Sequence, residues 1–238
     1  MTIITIENLT HQFPGTTQPA LKGINYYVQE GDFIILLGSN GSGKSTLLKM
    51  LYRQHYPDEG QINLFNKPLP SHHLNYFSHH VAVLTQHCAE SLFTSLTIYE
   101  NFQLVSKTKF RIRFLRHYLQ EYNPQLSKKL HLPVEQLSGG EKQALALALC
   151  LLHPPSILLL DEHTSALDPR TSHQLMQLTH RMVQKHGITC ILTTHNLDIA
   201  VNYGNRILVL RDGEIYMRYE RDKKNELTKE ILAARCFG

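Results

Sequence analysis

The sequence lacks any apolar run long enough to cross a bilayer. The longest, Ala144 to Leu152, is about half of the roughly 20 residues a membrane helix needs. The N-terminus, MTIITIENLTHQF, has neither the basic start nor the apolar stretch of a secretory signal, so the chain is expected to stay in the cytosol. Cysteine is scarce: Cys88, Cys150, Cys190 and Cys236 lie far apart, without the paired spacing of a zinc site. In a reducing compartment they predict buried thiols rather than disulfides. No internal repeat, low-complexity tract or long linker occurs. The net charge of +4 is too small to demand nucleic acid as a partner, although it suits an anionic ligand or a place beside a membrane. Histidine is plentiful at 15 residues. Its densest stretch, SHHLNYFSHH (Ser71 to His80), reads as a polar surface loop rather than a metal site, because spacing alone shows no convergent ligands.

What is present is the composition of an ordinary globular protein, 42% hydrophobic and 18% charged over 238 residues. That length predicts one domain carrying a subdomain. TIITIENLT, GINYYVQEG, the continuously apolar DFIILLG, GQINLF and HHVAVLTQ read as strands. A helix opens near Lys44, with Leu47, Leu48 and Leu51 on one face. From about Cys88 to Leu152 the pattern turns helical, through TIYENFQLVSK, FRIRFLRHYLQEY and the run after LSGGE. Strand and helix then alternate through SILLLDE, DPRTSHQLMQLTHRMVQKHG, ITCILTTH, NLDIAVNYG, NRILVLRDGEI and TKEILAARC. Such alternation implies an α/β protein with a parallel sheet, interrupted by a helical insertion.

The chemistry begins at GSNGSGKST, which follows an apolar strand and opens a helix. It fits G-x-x-x-x-G-K-[ST], a loop whose amides cradle phosphates at the positive end of a helix dipole. Its residues are Gly38, Ser39, Asn40, Gly41, Ser42, Gly43, Lys44, Ser45 and Thr46. Lys44 would reach the β- and γ-phosphates, the Ser45 hydroxyl would ligate Mg²⁺, and Thr46 could add a contact on the α-phosphate side. A second acidic centre follows the apolar run Ile157 to Leu160. Ligands of parallel sheets gather beyond the carboxyl ends of the strands, so Asp161 and Glu162 are expected at the same edge as the phosphate loop. Adjacent side chains point different ways, which allows Asp161 to orient Mg²⁺ and Glu162 to act as general base toward a water molecule.

GSNGSGKST, LSGGE, LLLDE, SALD and TTH occur in this order, and over nearly its whole length the chain resembles the nucleotide-binding subunits of ATP-binding cassette transporters. The resemblance implies a P-loop NTPase fold with a mostly parallel core sheet, an N-terminal antiparallel β subdomain and an inserted α-helical subdomain. A single domain would span 1–238, with the ATP-binding core and β subdomain in 1–86, the helical subdomain in 87–152 and the rest of the core in 153–238. It further implies hydrolysis of ATP, with Mg²⁺ as cofactor.

LSGGE also has a purely local reading. Ser138 and Glu141 form a capping box for the helix that follows, which leaves Gly139 and Gly140 unexplained. The resemblance supplies a reason: Ser138, Gly139 and Gly140 would bind the γ-phosphate held by a second copy, in a head-to-tail homodimer with ATP between the subunits. Gln86 would touch Mg²⁺ or the attacking water, its alternative being a polar strand end. His195 would contact the γ-phosphate and position Glu162, unless it is a capping or surface histidine. Phe13 would stack on adenine, unless it belongs to the core. Asp168 would enter the dimer contact, although alone it reads as an N-cap with Pro169 at N1.

Three positions depart from the family's usual pattern. Glu141 stands where glutamine is usual, Phe13 where tyrosine is, and His163 where many relatives have proline.

The resemblance also implies partners. Separate transmembrane permease subunits would dock on the helical subdomain around 86–106, holding the chain peripherally at the cytoplasmic face of the inner membrane. An uptake system for a small, amino-acid-like solute would add a solute-binding protein. The alternatives are an exporter or lipoprotein-release ATPase, and a soluble cassette acting on ribosomes or DNA. The latter would bring a second cassette or long coiled coils, of which this sequence has neither.

Overall fold

The computed structural model describes residues 1–86, 91–106, 109–224 and 227–237. The N-terminal strand β1 (Thr2–His11) pairs antiparallel on one side with β2 (Leu21–Gln29) and on the other with β4 (Glu59–Leu64), which pairs in turn with β5 (Lys67–Pro68). The order is β2-β1-β4-β5. In β2, Leu21, Ile24, Tyr26 and Val28 turn inward while Gly23, Asn25 and Tyr27 face out, the alternation of a half-buried strand.

A second sheet is built on β3 (Phe33–Leu37), every residue of which is buried. It pairs in parallel with β8 (Thr189–Thr194) and β9 (Arg206–Arg211), and β8 pairs in parallel with β7 (Ile157–Asp161). The edges are β10 (Glu214–Tyr219) and β6 (Val81–Leu84), giving the order β10-β9-β3-β8-β7-β6. The fold is therefore α/β, with a mostly parallel core sheet and an N-terminal antiparallel sheet. Helix α1 (Lys44–Leu51) buries Leu47, Leu48, Met50 and Leu51 in a core shared with residues of both sheets, including Ile4, Ile24, Ile34, Ile157 and Leu208.

Two segments differ from the sequence reading. NRILVLRDGEI is not one strand but a hairpin, since β10 folds back on β9 at Asp212 and Gly213, whose φ angles of 51° and 81° fit a two-residue turn with left-handed geometry at both positions. SHHLNYFSHH is not a loop. Its greater part is helix α2 (Leu74–His80), anchored by Phe77 and preceded by the buried His72, whose Nε2 lies 2.8 Å from the Leu64 carbonyl oxygen.

Asp32, fully buried, receives Arg206 at 2.6 Å and Arg221 at 2.7 Å. Arg206 also pairs with Glu220 at 2.6 Å and lies over the rings of Tyr26 and Tyr27. Burial of the guanidinium is outweighed by its bonds to Glu220 and Asp32, which raise its pKa. Of the cysteines, Cys190 is buried. Cys150 is half-buried as a residue, and burial of its thiol pushes the pKa up to about 12. Cys88 and the side chain of Cys236 lie outside the described residues.

The chain separates into two compact units. The first comprises Met1–Val83, Ser156–Asp161 and Lys185–Gly238, and the second Leu84–Pro155 and Glu162–Gln184. In the second, α3 (Ile98–Val105) starts at a capping box of Thr97 and Glu100. It is followed by α4 (Ile112–Tyr122), α5 (Pro124–Lys128) and α6 (Gly139–Cys150), whose residues Gln143 to Leu149 are all buried. The same unit holds most of α7 (Pro169–His186), which buries Leu175, Met176, Leu178, Thr179, Met182 and Val183. Helices α8 (Leu197–Asn202), α9 (Arg221–Lys224) and α10 (Lys229–Phe237) complete the first unit.

Candidate active site

In the first unit the loop 38–46 connects β3 to α1. Gly43 caps α1 with φ of 104°, and a Cβ there would lie 2.6 Å from the Ala20 carbonyl oxygen, so both conformation and space require glycine. Lys44 is the first helical residue and is buried. Its Nζ donates to the carbonyls of Gly38 (2.9 Å) and Ser39 (2.8 Å), which folds the ammonium back into the loop at the positive end of the α1 dipole. Ser42 is also buried, and its Oγ has no hydrogen-bond partner among the described residues. A buried cation and an orphaned hydroxyl in one loop suit an anionic ligand that can accept from both. Ser39, Asn40 and Gly41 are exposed, and Ser45 and Thr46 half-buried.

The acidic strand end meets this loop directly. Ser45 Oγ donates to Asp161 Oδ1 at 3.0 Å, and Thr193 Oγ1 donates to the same oxygen at 2.6 Å. Thr193 opens the TTH stretch, but nothing in the sequence directs it to Asp161. Its position follows from the parallel register, which sets Asp161 on β7 opposite Thr193 on β8. A carboxylate and a hydroxyl form the all-oxygen donor set that a hard cation such as Mg²⁺ prefers, so the residues present fit that ion.

His195 follows β8 in the same unit and is exposed, and the next residue, Asn196, caps α8 through bonds to the amides of Asp198 and Ile199. Phe13 is half-buried rather than a core residue. Its ring meets His11 and His55 edge-on, at centroid distances of 4.8 and 5.4 Å.

In the second unit, Glu162 continues from Asp161 with φ of 44°, a left-handed conformation costing a non-glycine residue about 1–2 kcal/mol. Two turn bonds follow, Ser165 N to Glu162 O at 2.9 Å and Leu167 N to Thr164 O at 3.2 Å. His163 is buried, 3.1 Å from Thr179 Oγ1 through Nε2, and burial pushes its pKa down to about 4. Asp168 Oδ1 accepts from the amides of Arg170 and Thr171 at the start of α7, and these bonds, with one from the Thr171 side chain, hold its carboxyl below the usual range.

Gln86 does not end a strand: β6 stops at Leu84, and Gln86 lies two residues beyond, exposed. Its carbonyl accepts from Gln143 Nε2 at 3.4 Å, a bond from α6 that the sequence does not reveal.

Ser138 caps α6 in a complete capping box. Its Oγ accepts from Glu141 N at 3.3 Å, and Glu141 Oε2 accepts from Ser138 N at 3.0 Å. Burial acts against ionisation of Glu141, but the Lys129 ammonium at 2.5 Å and the Ser138 amide outweigh it and lower its pKa. The glycines are not unexplained within the chain. A Cβ at Gly140 would collide with Thr171 Cγ2, and one at Gly139 would sit 3.3 Å from Leu167 Cδ2, so the start of α7 and the turn before it already exclude side chains from one side.

The ABC transporter family model matches residues 21–165. The chain is 33% identical to a tyrosine transport ATP-binding protein of Clostridioides difficile, over 97% of each chain. It is likewise 33% identical to a phosphonates import ATP-binding protein of Bdellovibrio bacteriovorus, over 99% of this chain and 94% of that one. With the methionine import ATP-binding protein of Legionella pneumophila it shares 35% identity over 82% of its own length and 59% of the relative's. Among solved structures, cbiO1 of Clostridium perfringens, part of the transporter complex cbiONQ, superposes with a TM-score of 0.82 at 28% identity, covering 98% of this chain and 95% of that one. The cassette MJ0796, in a dimeric post-hydrolysis state bound to ADP and Pi, gives 0.75 at 27% identity, covering 92% and 98%. A phosphate loop joined to an acidic strand end, a capped glycine helix and this likeness along the chain lead to one conclusion: the protein belongs to the ABC transporter family and is an ATP-binding, ATP-hydrolysing subunit of such a transporter.

Proposed function

We propose that the loop 38–46 grips the triphosphate of ATP, with Lys44 on the β- and γ-phosphates, and that Glu162 removes a proton from the water that attacks the γ-phosphorus. The bond to the β-phosphate oxygen breaks, leaving ADP and phosphate, with the proton on Glu162. The observation that carries this reading is the pair of hydroxyl bonds from Ser45 and Thr193 to Asp161 Oδ1, which ties the phosphate loop to the acidic strand end. Ser45, Asp161 and Gln86 would hold Mg²⁺, which when bound neutralises charge on the phosphate oxygens. Thr193 keeps Asp161 oriented for that task. His195 contacts the γ-phosphate and steadies Glu162, and Phe13 offers the uncovered part of its ring to adenine.

A second copy completes the site. Its Ser138, Gly139 and Gly140, at the positive end of α6, accept the γ-phosphate from the side that Thr171 and Leu167 leave open, and Asp168 lies in the contact between copies. The dimeric state of the related MJ0796 cassette supports the arrangement. Charge-assisted bonds of this kind are worth about 1.5–3 kcal/mol each, so loss of the γ-phosphate loosens the pair.

The work drives a solute through separate membrane subunits. No helix among the described residues is long and apolar enough to cross a membrane. In the helical unit Phe93, Leu104 and Val105 are 60%, 57% and 52% exposed, an apolar surface suited to a membrane partner. The chain thereby sits peripherally on the cytoplasmic side of the membrane. Relatives named for tyrosine, phosphonate and methionine transport favour uptake of a small polar solute, delivered by a solute-binding protein.

Substituting Glu162→Gln tests the chemistry. Steady-state phosphate release by the full-length chain with ATP and Mg²⁺ is expected to fall about 10²- to 10⁴-fold while ATP binding persists; an unaltered rate removes Glu162 from the role of base.

A further inference from the structure

We propose that His163 is a positioning residue for Glu162: the hydrogen bond from its ring to Thr179 fastens the turn after β7 to α7 and holds Glu162 in the backbone conformation from which it works. This rests on the reading of Glu162 as the base.

Glu162 has a φ of 44°, and glutamate lacks the short polar side chain with which asparagine or aspartate supports that geometry locally. Such a conformation persists only where its surroundings impose it. The bond from Ser165 N to Glu162 O closes the turn on itself. The side chain of His163 adds a restraint from outside it. His163 is 2% exposed, and Thr179, in the middle of α7, is fully buried. Thr179 Oγ1 donates its one proton to the Leu175 carbonyl oxygen at 2.9 Å. At 3.1 Å from that same hydroxyl oxygen, His163 Nε2 must therefore be the donor, which fixes the tautomer as Nε2–H. The chain His163, Thr179, Leu175 thus runs from the residue after Glu162 into the backbone of a helix whose neighbouring side chains Met176 and Met182 are 1% exposed.

Removing the acceptor would leave a buried N–H without a partner, and the ring would leave its site to satisfy it. The peptide between Glu162 and His163 would then lose its anchor. Displacement of a catalytic group by about 1 Å can cost on the order of 10²-fold in rate, whereas the ATP-gripping loop 38–46 contains none of these residues. The effect belongs in kcat, not in KM. A histidine that merely fills space would change stability alone.

The test is steady-state ATP hydrolysis by the full-length chain with Mg²⁺, with Tm measured alongside. Thr179→Val removes the acceptor at nearly constant volume and is expected to lower kcat about 10- to 100-fold with KM within about twofold. Thr179→Ser keeps the hydroxyl and restores kcat to within about threefold of wild type. His163→Gln, which retains an N–H donor of similar reach, keeps more activity than His163→Ala; should His163→Ala fail to fold, the Thr179 pair decides alone. Wild-type kcat in Thr179→Val, or equal losses in Thr179→Val and Thr179→Ser, overturns the proposal. Glu162→Gln is run in parallel. If it is inactive while Thr179→Val is fully active, only the positioning role fails; if it hydrolyses ATP normally, the assignment of the base fails and this proposal with it.

Discussion

A single methyl group at Gly140 reads out how closely α6 packs on the start of α7. A methyl group at this position collides with Thr171 Cγ2. Overpacking of this kind costs about 1–3 kcal/mol, against which alanine returns up to about 1 kcal/mol over glycine in a helix. With the full return, Gly140→Ala should therefore destabilise the chain by about 0–2 kcal/mol, centred on about 1 kcal/mol, which lowers Tm by about 2–4 °C for a protein of this size. Adding Thr171→Ser deletes the colliding methyl and keeps the hydroxyl that bonds Asp168, so Gly140→Ala/Thr171→Ser should recover the wild-type Tm in calorimetry. Hydrolysis should recover with it. The added methyl points at residue 171, away from the side of the helix end that stays open to the partner's phosphate, so kcat of the double variant is expected near that of wild type. A Gly140→Ala variant more stable than wild type refutes the collision, and a double variant that regains Tm but stays inactive contradicts an approach of the phosphate from the open side.

Asp32→Ala removes the buried carboxylate shared by Arg206 and Arg221 and leaves Arg206 the half-exposed Glu220, so it should cost about 3 kcal/mol by urea denaturation; a loss under about 1 kcal/mol contradicts the importance of the network. Glu141→Gln preserves the capping box but not the charge pair with Lys129. Because the folded pKa of Glu141 is depressed, its stabilisation is present above the unfolded value of 4.5 and is lost as pH falls through the folded one. The stability gap between wild type and Glu141→Gln, about 1 kcal/mol at pH 7, should close on acidification, and a gap that widens toward low pH refutes the assignment. Ser138→Arg should abolish hydrolysis while leaving binding of a fluorescent ATP analogue to the monomer intact; weakened monomer binding would place Ser138 on its own subunit's nucleotide instead.

Much of the site is legible in the sequence because its chemistry is local. The phosphate loop needs a strand before it, glycines within it and a helix after it, all contiguous in 33–51, and Asp161 announces itself by ending an apolar run. What stays hidden depends on pairing across the chain. Thr193 reaches Asp161 only through strand register, Gln143 reaches the Gln86 carbonyl from a different element, and the constraint on Gly140 comes from Thr171 at the start of α7. The hairpin of β9 and β10 is signalled by Asp212-Gly213 but masked by the apolar run before it. Helix α2 escapes a sequence reading because one buried phenylalanine, Phe77, anchors an otherwise polar segment, leaving little periodicity to detect.

The central claim is that one ATP is held by two copies of the chain. Sedimentation velocity of full-length Glu162→Gln, with Mg²⁺ and either ATP or ADP, tests it most directly. The account predicts a dimer with ATP that dissociates with ADP and does not form when Ser138→Arg is added. A strictly monomeric protein with ATP at high concentration, or a dimer indifferent to the γ-phosphate, contradicts it.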